Sequence, residues 1–156
     1  NIPVNRLLRP EGHVEIEVVA VKGGDRQEIL VPEWEQHYGS LTQNAGVRKG
    51  RILQISGQSS VDPTTGATVG GYDIAAQTEQ AYSNIARIMG EGGYSMDDIV
   101  NTIEWVAPNG MMDYRKVREV RRKYFGDRFP SATGVSMHQI LGRPEQLIEV
   151  TAVAVI

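Results

Sequence analysis

The chain has 156 residues, no cysteine and a formal net charge of −3. That length holds one domain with its own core and falls short of two ordinary ones. Hydrophobic residues at 40% and charged residues at 22% mark a folding chain rather than a disordered one, and the missing thiols exclude disulfides, thiolate metal sites and thiol nucleophiles. No apolar run approaches the roughly 18 residues of a membrane span, and the N-terminal residues lack the apolar core of a signal peptide. A cytoplasmic location is the expectation, resting weakly on cysteine usage. Net negative charge argues against a general polyanion binder unless positive charge is gathered on one face.

Residues 13–21 (HVEIEVVAV) alternate and then turn continuously apolar, which predicts a strand between Gly12 and the Gly23-Gly24 pair. A second short strand is predicted over residues 26–31, ended by Pro32, and residues 34–50 are polar enough to read as a loop. Residues 51–56 (RILQIS) predict a strand, and Asp62-Pro63-Thr64-Thr65-Gly66 after it is a turn sequence. Asp73 is placed to N-cap a helix with Ile74, Thr78, Ala81, Ile85 and Ile88 on one face, running to about Met89 before Gly90, Gly92 and Gly93. Ser95 and Asp98 have capping-box spacing, and residues 99–106 (IVNTIEWV) predict a strand. Asp113 is placed to start a second helix that buries Tyr114, Val117, Val120, Tyr124 and Phe125 and stops at Gly126 and Pro130. Strands over residues 131–138 and 146–155 close the chain. The order β-β-β-α-β-α-β-β predicts an α+β fold, a sheet with helices on one face.

Residues 7–21 lie on residues 141–155 without a gap, identical at eight of fifteen positions, with Arg-Pro-Glu in both and Glu15 opposite Glu149. Chance similarity of two strands is one reading. The others make residues 1–24 a duplicated strand or the tail of an upstream copy of the domain in residues 25–156. Such a strand lacks a mate of its own and has to pair with some sheet edge.

Five segments, SGQSSVDPTTG (56–66), AAQTEQAYSNIARIM, SMDDIV, VREVRRKYFGDRFPS and LIEVTAVAV, resemble the RidA/YjgF signature in order and spacing over about residues 26–156. The resemblance implies a chorismate-mutase-like fold and a homotrimer whose sheets form an inner barrel, with three clefts between subunits. It also implies hydrolysis of reactive enamines and imines such as 2-aminoacrylate, releasing ammonia and a 2-keto acid. Some members of the family carry an endoribonuclease label, and others are known only as binding proteins.

In that family an Arg stands second after the Phe-Pro pair and grips the substrate carboxylate with a bidentate fork. Here Phe129-Pro130-Ser131 puts Ala132 at that place, which removes the usual basis for deaminating small 2-imino acids. By strand period Ala132, Gly134, Ser136 and His138 share a face, giving either a small neutral wall for a larger or uncharged ligand or room for close helix packing. Glu149 holds the place of the family's water-orienting Glu, and its neighbours Ile148 and Val150 favour a raised pKa. Gly57 matches a position whose backbone contacts ligand, or is needed only for backbone shape. Arg118 stands for a family Asn near the cleft and is a candidate replacement cation, as is Arg143. The second helix is basic throughout, however, and such faces are usually just solvated. Leu41 is nearest to the family's loop Tyr, with Tyr38 as a substitute, and His138 is either a base near neutral pH or structural. Three scattered histidines, no cysteine and no phosphate loop leave metals and other cofactors unexpected.

Three functions follow: a RidA-type hydrolase or deaminase of a small imine, enamine or related metabolite; a non-catalytic small-molecule-binding paralogue that keeps the trimer; and, remotely, RNA binding or cleavage through the basic second helix. The expected partners are a small metabolite and two further copies of the chain, with no membrane.

Overall fold

Six strands form one sheet in the spatial order β1-β2-β3-β6-β4-β5: β1 (Arg26–Ile29), β2 (Gly46–Lys49), β3 (Ile52–Ser59), β4 (Ile99–Val106), β5 (Ser131–Ser136) and β6 (Ile148–Val155). The computed structural model describes Leu7, Arg9 and residues 11–140 and 143–156. All neighbouring strands are antiparallel except β4 and β5. That parallel pair requires a crossover, which the chain makes through α3 (Pro108–Met111) and α4 (Val117–Phe125). The last strand, β6, slots between β3 and β4, so the chain's two halves are joined through its C-terminal residues.

The main helix α2 (Ile74–Gly92) begins as its sequence dictates, with Asp73 Oδ1 accepting from the backbone N–H of Ala75 at 2.9 Å and of Ala76 at 3.4 Å. Ile74, Ala81, Ile85, Ile88 and Met89 are buried against Leu53 and Ile55 of β3 and against Ile148, Val150, Ala152 and Ala154 of β6. Complete burial of side chains this size is worth roughly 1.5–3 kcal/mol each, so this layer anchors the fold. Helices cover only that face. The other, carrying Gln54, Ile103, Trp105 and Thr151, borders a hollow of about 650 Å³ shared with Glu17, Val19 and Val21.

Of the first three expected strands, residues 26–31 and 51–56 form as β1 and β3, whereas residues 13–21 do not form one and β2 stands in a stretch expected to be loop. Residues 13–21 pair with no strand among those described, and Val14, Ile16 and Val18 are 74%, 78% and 79% exposed. The segment repeats β6, whose two neighbours β3 and β4 are already taken. Leu8, Pro10, Leu141 and Gly142 of that repeat lie outside the described residues, as do residues 1–6. The stretch expected to be a loop instead holds the short helix α1 (Glu35–Tyr38) and β2. Strand β2 has one large apolar residue, Val47, and forms because a tight turn at Gly50 (φ 60) folds it onto β3 with Lys49 opposite Ile52. Asp113 does not cap α4. A 3₁₀ turn over Tyr114–Lys116 precedes that helix, and β5 stops at Ser136, two residues short of His138.

Under α4 lies Glu104 of β4, with no solvent exposure. Its carboxylate receives hydrogen bonds from Tyr82 at 2.9 Å, Tyr114 at 2.6 Å and Arg121 Nε at 2.7 Å, and a further one from Arg121 Nη2. Burial, then the Glu104 hydrogen bond, push the Tyr114 hydroxyl up to about 12. Removing one partner of such a pair strands a buried charge. Arg121→Ala is therefore expected to lower unfolding free energy by about 3–5 kcal/mol in urea titrations, and a loss below about 1 kcal/mol would mean that Glu104 is neutralised by other means.

Candidate active-site cleft

Strand β6 alternates cleanly: Ile148 and Val150 point to the helices with no exposure, so Glu149 between them turns to the other side. It lies opposite Ser59 of β3 and Trp105 of β4. Strand β3 is irregular there, the register shifting between Ile55, opposite Ala152, and Gln58, opposite Val150. The shift turns Gly57 under the Glu149 carboxylate. A Cβ at residue 57 would stand 2.0 Å from Glu149 Oε1, so a larger residue there has to move that side chain. Burial raises the Glu149 pKa above the usual 4.5, and among the described residues no hydrogen bond or ion pair offsets it.

The cleft around this carboxylate has a volume of about 220 Å³ and is open to solvent. Tyr38, at the end of α1, enters it, and its hydroxyl accepts a 2.9 Å hydrogen bond from Gln58 Nε2. Burial, opposed by that bond and reinforced by the charge of Glu149, raises the Tyr38 pKa. Asn84 of α2 is fixed by donating to Val61 O at 2.8 Å, and Gln146 by donating to Ser59 Oγ at 3.3 Å. Arg143 also lines the cleft, with Nη1 donating to Thr68 Oγ1 at 2.7 Å and Nη2 to Gly66 O at 2.8 Å. The Asp62-to-Gly66 turn presents the second of those acceptors: Asp62 accepts from the Thr64 N–H at 2.8 Å and from the Thr65 hydroxyl at 3.1 Å, bonds that hold its pKa low.

The remaining candidates lie elsewhere. Ala132 of β5 and Arg118 of α4 line a hollow of about 160 Å³ on the helix side, walled by Thr102, Phe125 and Phe129. Gly134 serves packing, since a Cβ there would stand 2.5 Å from the Tyr114 hydroxyl oxygen. Ser136 and His138 are exposed at and beyond the end of β5. The structure thus brings Gly57 to Glu149 and Ala132 to Arg118, on opposite faces of one sheet. Gln58, Asn84 and Gln146 were not anticipated. Their one sequence signal is amide side chains placed among apolar core positions. Tyr38 enters the cleft, while Leu41 borders a separate depression beside β1. Among the described residues no group of three or more His, Asp or Glu is arranged to hold a metal ion, and no helix is long and apolar enough to cross a membrane.

An open sheet with a helical layer on one side and a lone acid over a glycine bulge defines the class, and comparison with known proteins gives the family. The Endoribonuclease L-PSP family matches residues 37–156, and the chain belongs to it, the family of RidA, YjgF and RutC proteins. It is 35% identical to a RutC family protein of Pyrococcus horikoshii over 108 residues, 69% of this chain and 82% of that one. It is 31% identical to the human 2-iminobutanoate/2-iminopropanoate deaminase over 106 residues, 67% of this chain and 73% of the relative. Among solved structures, a putative endoribonuclease of Thermotoga maritima superposes with a TM-score of 0.68 at 32% identity, covering 75% of this chain and 88% of its own. These likenesses support a general RidA-type function and the α+β fold expected from the sequence.

Two measurements probe the Glu149 cleft. The folded chain keeps the Glu149 proton to a higher pH than the unfolded chain does. Stability contributed by the neutral form therefore falls as pH rises from about 4.5 through the folded value. Urea midpoints across that window are expected to lose this slope in Glu149→Gln, and an unchanged slope would assign the dependence to another group. Gly57→Ala is expected to displace the carboxylate and change that slope while leaving the circular dichroism spectrum native.

Proposed function

We propose that the chain hydrolyses a small imine- or enamine-type metabolite in the Glu149 cleft. The observation carrying this reading is a largely buried carboxylate that has no partner among the described residues yet faces an open, polar cleft. Buried acids are normally paired, and an unpaired one in a cleft suits proton transfer. Glu149 in its charged form takes a proton from water as the water oxygen bonds to the C=N carbon. The resulting carboxylic acid returns the proton to nitrogen to give a carbinolamine; Glu149 then takes the proton of the new hydroxyl and delivers it to nitrogen as the C–N bond breaks, so that ammonia leaves a carbonyl compound. A pKa raised by burial brings both forms into use closer to neutrality. Tyr38, Gln58 and Asn84 line the same space and orient the substrate.

The homotrimer belongs to the same reading. Ala132 and Glu149 occupy opposite faces of one sheet, so only a neighbouring copy can add the β5 wall, with Ala132, Gly134, Ser136 and His138, to this cleft. A cytoplasmic location rests on the absence of cysteine alone.

A second reading, a binder without turnover, is favoured by Ala132 standing where relatives of the RidA type carry an arginine. The nucleic-acid reading finds little support. Lys116, Arg118, Arg121, Arg122 and Lys123 each lie within ion-pair distance of a carboxylate, so the basic helix presents little free charge. Ammonia release from imino acids generated in situ by an amino-acid oxidase separates the first two readings. Hydrolysis predicts release that falls about 10²–10⁴-fold in Glu149→Gln. Ligand-induced thermal stabilisation with no release at all would establish the binder.

A further inference from the structure

Residues 13–21 carry the core pattern of β6 and none of its burial. In the gapless match of residues 7–21 to residues 141–155, Val14, Ile16, Val18 and Ala20 fall on Ile148, Val150, Ala152 and Ala154. Those four residues of β6 are at most 1% exposed, whereas Val14, Ile16 and Val18 are 74%, 78% and 79% exposed and Ala20 is exposed as well. On the other face Glu15 falls on Glu149, and Val19 and Val21 fall on Val153 and Val155. From Val18 onward the segment is apolar on both faces, the pattern of a strand covered on both sides. The free edges of this sheet, the four-residue β1 and the exposed β5, offer such a strand a neighbour on one side only.

We infer that residues 13–21 are a second closing strand, equivalent to β6, and that Glu15 is the acid it brings to a cleft. Its partner is another domain of this family whose β3- and β4-type strands lack a closing strand of their own. The packing half stands on sequence and burial alone; the role of Glu15 rests on the reading of Glu149 as the reactive acid. In a slot of this shape Val14, Ile16, Val18 and Ala20 meet the helical layer as the core residues of β6 do. Glu15 then lies over the β3 bulge, where Gly57 leaves room for a carboxylate. In this sheet β6 keeps the slot. Ala152 fits a space that Val18 would overfill, and the buried Gln146 and Leu147 before β6 correspond to Gly12 and His13 before the segment. The segment nonetheless reaches that slot. Val155, at the end of β6, lies three strand spacings from Arg26 by way of Ile52 and Lys49, about 14 Å in all. The chain from Val21 to Arg26 spans at most about 16–18 Å.

That reach makes the full chain its own receiver. Val150→Asp disables β6 by placing a charge where no solvent enters. The variant is expected to keep a native circular dichroism spectrum and a cooperative urea transition, gaining hydrogen-exchange protection at residues 14–20 and losing it at residues 148–155. Ile16→Asp, at the matching position, is expected to leave the urea midpoint of the otherwise unaltered chain unchanged, because that side chain is exposed. Combined with Val150→Asp it is expected to abolish the transition. Unfolding of Val150→Asp with Ile16 intact overturns the inference, as does a transition in Val150→Asp that survives Ile16→Asp. Protection of residues 14–20 in the wild-type chain, where β6 holds the slot, also overturns it. Ammonia release tests Glu15 separately. In Val150→Asp it is expected to fall about 10²–10⁴-fold with Glu15→Gln and to be indifferent to Glu149→Gln. Strand exchange with no ammonia release from any imine leaves the closing strand standing and removes the hydrolase reading. Glu149-dependent release in the wild type with no exchange in Val150→Asp does the reverse.

Discussion

Glu104 sits at the centre of the sheet's covered side with no access to water, and three side chains close around its charge. Tyr82 comes from α2, Tyr114 from the turn before α4 and Arg121 from α4 itself, so one carboxylate ties the helical layer to β4. The geometry of the β5 edge follows from it. Tyr114 must approach the sheet closely to reach Glu104, which is why position 134 carries no side chain. Arg121 must turn inward, which leaves the hollow beside Ala132 bordered by the remaining arginines of α4. A neutral residue at 104 would free all three groups at once. Satisfied, the network specifies how α4 sits; half-satisfied, it would cost more than an apolar core there.

The second acid, Glu149, has the opposite treatment. It is largely removed from water, as Glu104 is, yet receives no donor among the described residues. The bulge in β3 and the bare backbone of Gly57 exist to accommodate it. The fold satisfies one buried carboxylate fourfold and leaves the other facing an open cleft. The polar groups nearest the open one are themselves fixed: Gln58, Asn84 and Gln146 are almost wholly buried, and each is bonded to its neighbours. The rim of the cleft is therefore held in place by its own hydrogen bonds.

Ala132 and Glu149 stand on opposite sides of the sheet in this chain. Arg143 lines the cleft that holds Glu149, donating to Gly66 O at the end of the turn that Asp62 organises.

Much of this was legible in the residues alone. Asp73 and the three- and four-residue spacing after it determined α2, the alternation of Ile148 to Val155 determined β6, and the five ordered segments determined the family and picked out Glu149 and Gly57. Local pattern suffices there because each signal is carried by the element's own side chains. Tertiary structure decided the rest. Residues 13–21 and β6 have nearly the same pattern, and only the available neighbours make one a central strand and leave the other exposed. Val47 alone would not announce β2; a turn and a partner strand do. Spacing could not say that Arg143 and Glu149 share a cleft while Arg118 does not, because which face a side chain meets depends on the sheet's order and on the bulge at Gly57. Pairing between strands distant in sequence is a property of the assembled sheet, and no window along the chain contains it.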